Sequence, residues 1–144
     1  MPRSAWVLGI CLLPSTIVCA GYETFLGHRH DYVGHYAAGY GGTLVAILAY
    51  FWRLPEEHFR RGASGAILQL CFGCIALGAL AESTVFRLAK FDEIDFCNQS
   101  LGAVLAAIVS LVFGCEAKPS AMLLKAGLVV GLAFLIVGGI FAFL

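Results

Sequence analysis

The sequence predicts an all-α fold, a polytopic membrane bundle of about five transmembrane helices forming one domain over residues 1–144. Three observations carry that expectation. Of 144 residues, 60% are hydrophobic and 12% charged, against roughly 45–50% and 25% in soluble domains. A globule this small leaves much of its area exposed and could not hide so much apolar surface from water. Long apolar runs, nearly free of charge, recur along the chain, each close to the ~20 residues that cross a bilayer. Nine Lys plus Arg balance nine Asp plus Glu, so no basic excess invites nucleic acid.

The first run, Ala5 to Ala20, is broken at Pro14 and ends Val18-Cys19-Ala20. It reads as a retained helix, while Arg3 ahead of it and the small residues at its end also fit a cleavable signal peptide. The second run is Tyr32 to Trp52, the third Ala63 to Ala81, the fourth Ser100 to Gly114 and the fifth Ala121 to Leu144. Arg3, Arg53, Arg60, Arg61, Lys118 and Lys125 flank one set of connections, and Arg29, Arg87 and Lys90 the other. The positive-inside rule then puts the N-terminus and the second and fourth loops in the cytoplasm and the first loop, third loop and C-terminus outside. Trp6 and Trp52 fall at inner helix ends, where amphipathic rings anchor. The connection Arg53-Leu-Pro-Glu-Glu-His-Phe-Arg-Arg reads as an interfacial turn that fixes orientation.

Six cysteines lie mostly inside helices, whereas a disulfide framework would put them in loops. Cys71 and Cys74 form a Cys-x-x-Cys pair, but no second pair completes a metal site, and buried cysteine behaves as a small hydrophobe. The 17 glycines include spaced sets, Gly34, Ala38 and Gly42; Gly127 and Gly131; Gly138 and Gly139. Small residues four apart let helix backbones approach closely in lipid, so these are packing faces for another helix of this chain or for another subunit.

Most membrane-edge ionisable groups fall on one side. Asp31 and His35 open the second run four residues apart and share a face. Glu82 ends the third at the same level. Arg87, Lys90, Asp92, Glu93 and Asp95 fill the following loop, and Asn98 and Gln99 enter the fourth run. Below Glu82, Gly78, Cys74 and Cys71 form a narrow stripe against which a neighbour can lean. A charge within the apolar layer costs about 2.5–3.5 kcal/mol on insertion scales, so such groups face protein or water and mark function. The competing reading is that Asp31, Glu82 and Asp95 merely hydrate at the headgroup edge.

Asp31-Tyr-Val-Gly-His35, then Glu82, then Asp95-Phe-Cys-Asn-Gln-Ser-Leu-Gly102 resemble, in order and spacing, the motifs of VanZ-like membrane proteins. The resemblance covers about Asp31 to Ala106. That family shows Asp-Lys-x-x-His, a Glu with a nearby Gln and Arg, and Asp-x-x-x-Asn-Thr-x-Gly. This chain departs from the pattern at Tyr32 in place of lysine, at Val85 in place of glutamine, and at Gln99 and Ser100 in place of Asn and Thr. Its loop cation, Arg87 or Lys90, is displaced by a shorter connection. The resemblance implies a bacterial cell-envelope setting and, for some relatives, reduced sensitivity to glycopeptide antibiotics such as teicoplanin. It implies no agreed reaction, and loss of the lysine weakens recognition of an anionic headgroup.

His35 beside Asp31 fits a general base oriented by a carboxylate, with Glu82 a second acid or base. No Gly-x-Ser-x-Gly and no nucleotide-binding loop accompanies them. His28, His30 and His35 with Asp31 could serve a metal, but alternate loop residues need not converge, and neither a metal nor another cofactor is expected. Haem is disfavoured because His58 lies on the opposite side. The expectation is a bacterial inner-membrane protein whose outward polar cluster of Asp31, His35, Glu82, Arg87, Asp95, Asn98 and Gln99 binds without turnover. Its partners are membrane lipids and the subunits of a larger membrane assembly in which it is a small accessory protein. The alternative is a lipid-binding or lipid-modifying envelope protein linked to glycopeptide tolerance.

Overall fold

The computed structural model describes residues 16–22, 24–25, 29–84, 92–114 and 118–142. Four long helices are described, α1 (His30–Arg53), α2 (Glu56–Thr84), α3 (Glu93–Gly114) and α4 (Ala121–Ala142), and residues 16–22 are helical as well. No strand occurs among the described residues. Most of the first expected span, with Arg3 and Trp6, lies outside them, as do His28, Arg87 and Lys90.

Local chemistry sets the helix ends. Leu54 is extended at φ −73° and ψ 126°, the conformation forced on a residue preceding proline, so α1 stops ahead of Pro55. Glu56 and Glu57 occupy the first turn of α2, where carboxylates complement the helix dipole. The expected nine-residue turn is therefore only Leu54 and Pro55, because hydropathy marks where a helix meets lipid and not where its hydrogen bonds begin. The same correction applies to α3, which starts at Glu93 and not at Ser100. Asp92 Oδ1 accepts from the backbone N–H of Ile94 at 2.8 Å and of Asp95 at 3.3 Å, a side-chain cap that starts the helix in polar sequence. Glu93, Asp95, Asn98 and Gln99 are thus helical residues and not loop or entry residues. Ser120 caps α4 in the same manner, its Oγ accepting from Leu123 N–H at 3.4 Å.

Among the described residues, three helices are long and apolar enough to cross a membrane: Gly62–Thr84, Glu93–Val112 and Ala121–Ala142. Their outward faces carry Leu68, Phe72 and Leu80 on α2 and Val129, Leu132, Ile136 and Ile140 on α4. The helix without a bilayer-length apolar window, α1, is the most enclosed. Eleven of its 24 residues are buried, against 17% of the apolar windows of α2 and α4. A helix walled by protein needs no apolar surface all round, and α1 accordingly carries Tyr36, Tyr40, Thr43 and His35 inward.

The helices alternate in direction, so α1 runs beside α3 in parallel and against α2 and α4. Small residues bring the backbones together. A Cβ at Gly34 would overlap the backbone of Phe141 and Ala142, one at Gly138 that of Ala38, and one at Gly41 that of Gly131 and Phe134. At Gly102 it would strike Tyr36 and Tyr40. The face of α1 is therefore Gly34, Ala38 and Gly41. Gly42 meets only a Leu135 methyl at 3.6 Å, and Gly139 meets nothing within 4 Å. Gly127 and Gly131 receive the side chains of Leu48 and Val45. Ile47, Phe51, Phe59, Ile67 and Leu124 form the core near the Arg53 end, with the Phe51 and Phe59 rings edge to face at 4.8 Å.

Candidate functional site

At the other end of the bundle, His35 of α1 stands between two carboxylates from two other helices. Its Nδ1 is 3.5 Å from Glu82 Oε1 and its Nε2 is 3.6 Å from Asp95 Oδ2. The imidazole is 10% exposed, the Glu82 side chain 8% and the Asp95 side chain 16%. These are ion-pair separations, longer than a good hydrogen bond. With the imidazole protonated, the trio carries one net negative charge.

Each member arrives by simple helix geometry. His35 lies one turn inside α1 and Glu82 half a turn before the end of α2. Asp95 sits in the first turn of α3 because the Asp92 cap places that turn at the same level.

Asp31, near enough for its charge to act on Asp95, takes a partner of its own. Its carboxylate accepts three hydrogen bonds from the Arg29 guanidinium, at 2.7 to 3.2 Å, and these hold its carboxyl below the usual aspartate range. Arg29 also lies 3.8 Å over the Tyr32 ring.

Beneath the trio, the polar side chains of α3 reach across to other elements. Gln99 Nε2 donates to the Cys74 carbonyl at 3.2 Å, and its amide fills the space above Gly78. Cys71 Sγ approaches the Ala103 carbonyl at 3.6 Å. Asn98 accepts from the Tyr22 hydroxyl at 2.5 Å through Oδ1. Two buried atoms here lack a protein partner, Asp95 Oδ1 and Asn98 Nδ2.

His30 takes a separate direction, its ring 6.0 Å from that of Phe141, so His30 and His35 do not converge. Among the described residues no group of three or more His, Cys, Asp or Glu side chains is arranged to hold a metal.

Pattern alone does not single out Arg29, Tyr22 and Tyr36 as site residues. The signal for the tyrosines is that a phenol in an apolar helix needs a partner for its hydroxyl. Tyr22 meets that need at Asn98 and stands 6.1 Å from the Tyr36 ring.

No family model matches the sequence, and no curated protein or solved structure matches it either.

Proposed function

We propose that the chain is a multi-pass bacterial inner-membrane protein of VanZ-like type, acting as a small accessory subunit of a larger membrane assembly. In this reading it crosses the bilayer about five times, near residues 5–20, 32–52, 63–81, 100–114 and 121–144. The N-terminus is cytoplasmic and the His35 end faces the periplasm. The observation that carries a role without turnover is the bridging of His35 between Glu82 and Asp95. Polar groups that a catalyst would turn toward a substrate are spent here on joining three helices, as are Gln99 on Cys74 and Asn98 on Tyr22. The apolar outer faces of α2 and α4 are the surfaces on which lipid or neighbouring subunits rest.

Extraction in a mild detergent, followed by mass measurement of the purified particle, tests the subunit role. A particle containing further membrane proteins in fixed ratio is expected. A single chain with lipid alone would overturn it. Orientation is tested by cysteines introduced at positions 90 and 57 of a cysteine-free variant. Position 90 labels from the periplasm and position 57 only after lysis, and the reverse pattern would invert the topology.

A second reading, recognition of an envelope-lipid headgroup at the His35 end, is favoured by the Arg29 guanidinium over Tyr32 and by the unpartnered Asp95 Oδ1 and Asn98 Nδ2. Loss of a retained lipid from the Asp31→Asn, Glu82→Gln double variant, with expression unchanged, would establish this reading over the first.

A further inference from the structure

Opposite the His35 end, the α1–α2 junction meets the start of α4 around a cavity of about 380 Å³, within the roughly 300–1,000 Å³ range of small-molecule sites. Its lining includes Trp52, Glu56, Lys118, Ser120 and Leu124. The cavity lies at the edge of the apolar layer, since α1 ends at Arg53 and the apolar spans of α2 and α4 begin at Gly62 and Ala121.

The lining combines groups of opposite sign. Lys118 Nζ donates to the Leu54 carbonyl at 2.7 Å, which anchors the ammonium at the rim and uses one of its three N–H donors. Ser120 Oγ accepts from Leu123 N–H and keeps its O–H for donation. Glu56 is exposed, and Trp52 is 45% exposed. The Lys125 ammonium stands 5.9 Å from the indole centroid, a cation–π distance, so the ring already holds a cation of the protein itself.

A purely anionic ligand would face Glu56, and a purely cationic one Lys118. A zwitterion answers both. We infer that the cavity binds a phosphoethanolamine headgroup, its phosphodiester on Lys118 and Ser120 and its primary ammonium on Glu56. A trimethylammonium has no N–H to donate to the carboxylate. The same chemistry is present in a phospholipid and in a soluble glycerophosphodiester.

The level of the site rests on the membrane-spanning reading, so the two are tested separately. Incorporation of the full chain into lipid nanodiscs tests the membrane reading alone. Incorporated protein in discs of equal dioleoyl-phosphatidylethanolamine, -phosphatidylcholine and -phosphatidylglycerol is then released, and its retained lipid is identified by native mass spectrometry. Phosphatidylethanolamine is expected to be enriched about tenfold over both others, the effect of one charge-assisted hydrogen bond. Glu56→Gln, at an exposed position, is expected to bring its ratio to phosphatidylcholine to about one. Lys118→Met is expected to lower retention of all three. Equal retention of the three headgroups by the unaltered protein, or an undiminished ratio in Glu56→Gln, would overturn the assignment. Displacement of the bound lipid by glycerophosphoethanolamine supports a site that also takes the soluble diester, and resistance to displacement supports the lipid as the ligand.

Discussion

Gln99 of α3 lies across Gly78 of α2, its side-chain amide occupying the place a Cβ at position 78 would need while its Nε2 donates to the Cys74 carbonyl at 3.2 Å. Glycine at 78 and glutamine at 99 are thus one feature, the seam at which α3 seats on α2. Gly78→Ala is expected to destabilise the bundle by about 1–3 kcal/mol, the usual cost of overpacking. Gln99→Ala added to it is expected to recover part of that loss. Gly73→Ala, where nothing lies within 4 Å, serves as the control with no packing cost. Denaturant titration in micelles reads all of these, and equal effects at 73 and 78 would mean the seam is not tight.

The contact of α1 with α4 is harder to relieve, because the atoms that meet are backbone. A side chain at Gly138 would strike Ala38 and the Gly34 carbonyl, whereas one at Gly139 would meet nothing within 4 Å. Gly138→Leu is expected to cost 3 kcal/mol or more, above the common range of about 1–3 kcal/mol for overpacking, and to lower the thermal midpoint sharply. Gly139→Leu is expected to leave it nearly unchanged. Thermal aggregation of the two purified variants distinguishes them.

Removing His35 would leave Glu82 and Asp95 facing each other across a buried gap. With the imidazole protonated, His35→Ala is expected to cost about 3–5 kcal/mol, the penalty for breaking a buried charge pair. Adding Glu82→Gln to His35→Ala is expected to restore stability, since one of the two repelling carboxylates is then neutral. A double-mutant cycle over positions 35 and 82 measures the coupling, and additive effects would show that the two side chains do not interact.

Thr43 is fully buried in α1 and its Oγ1 has no hydrogen-bond partner. Valine has the same shape without the hydroxyl, so Thr43→Val is expected to stabilise the protein by about 1 kcal/mol, the desolvation cost removed. A raised thermal midpoint checks this, and a lowered one would show that the hydroxyl has a bonded role.

The places where local pattern and tertiary structure part are physically instructive. Hydropathy locates where a helix meets lipid, and so identifies the apolar lengths of α2, α3 and α4. It is silent on the turns beyond those lengths, which caps and dipoles decide at Glu56 and Asp92. Spacing also cannot separate Gly41 from Gly42, neighbours 100° apart on a helix, because the choice depends on where α4 lies. In the candidate site, Asp31 and His35 share a helix face by spacing, yet Asp31 turns to Arg29 two residues away. A local bidentate partner is available before any tertiary contact forms.

The composition and periodicity of this chain, by themselves, determined an all-helical protein with lengths of helix too apolar for water, because apolar surface must leave water wherever the chain goes. Only tertiary structure decided that the helix without a bilayer-length apolar window is the enclosed one, that Gln99 seats on Gly78, and that His35 stands between Glu82 and Asp95. Those are pairings between residues dozens of positions apart. Their energies depend on distance and orientation, and no linear pattern encodes either until the backbones have packed.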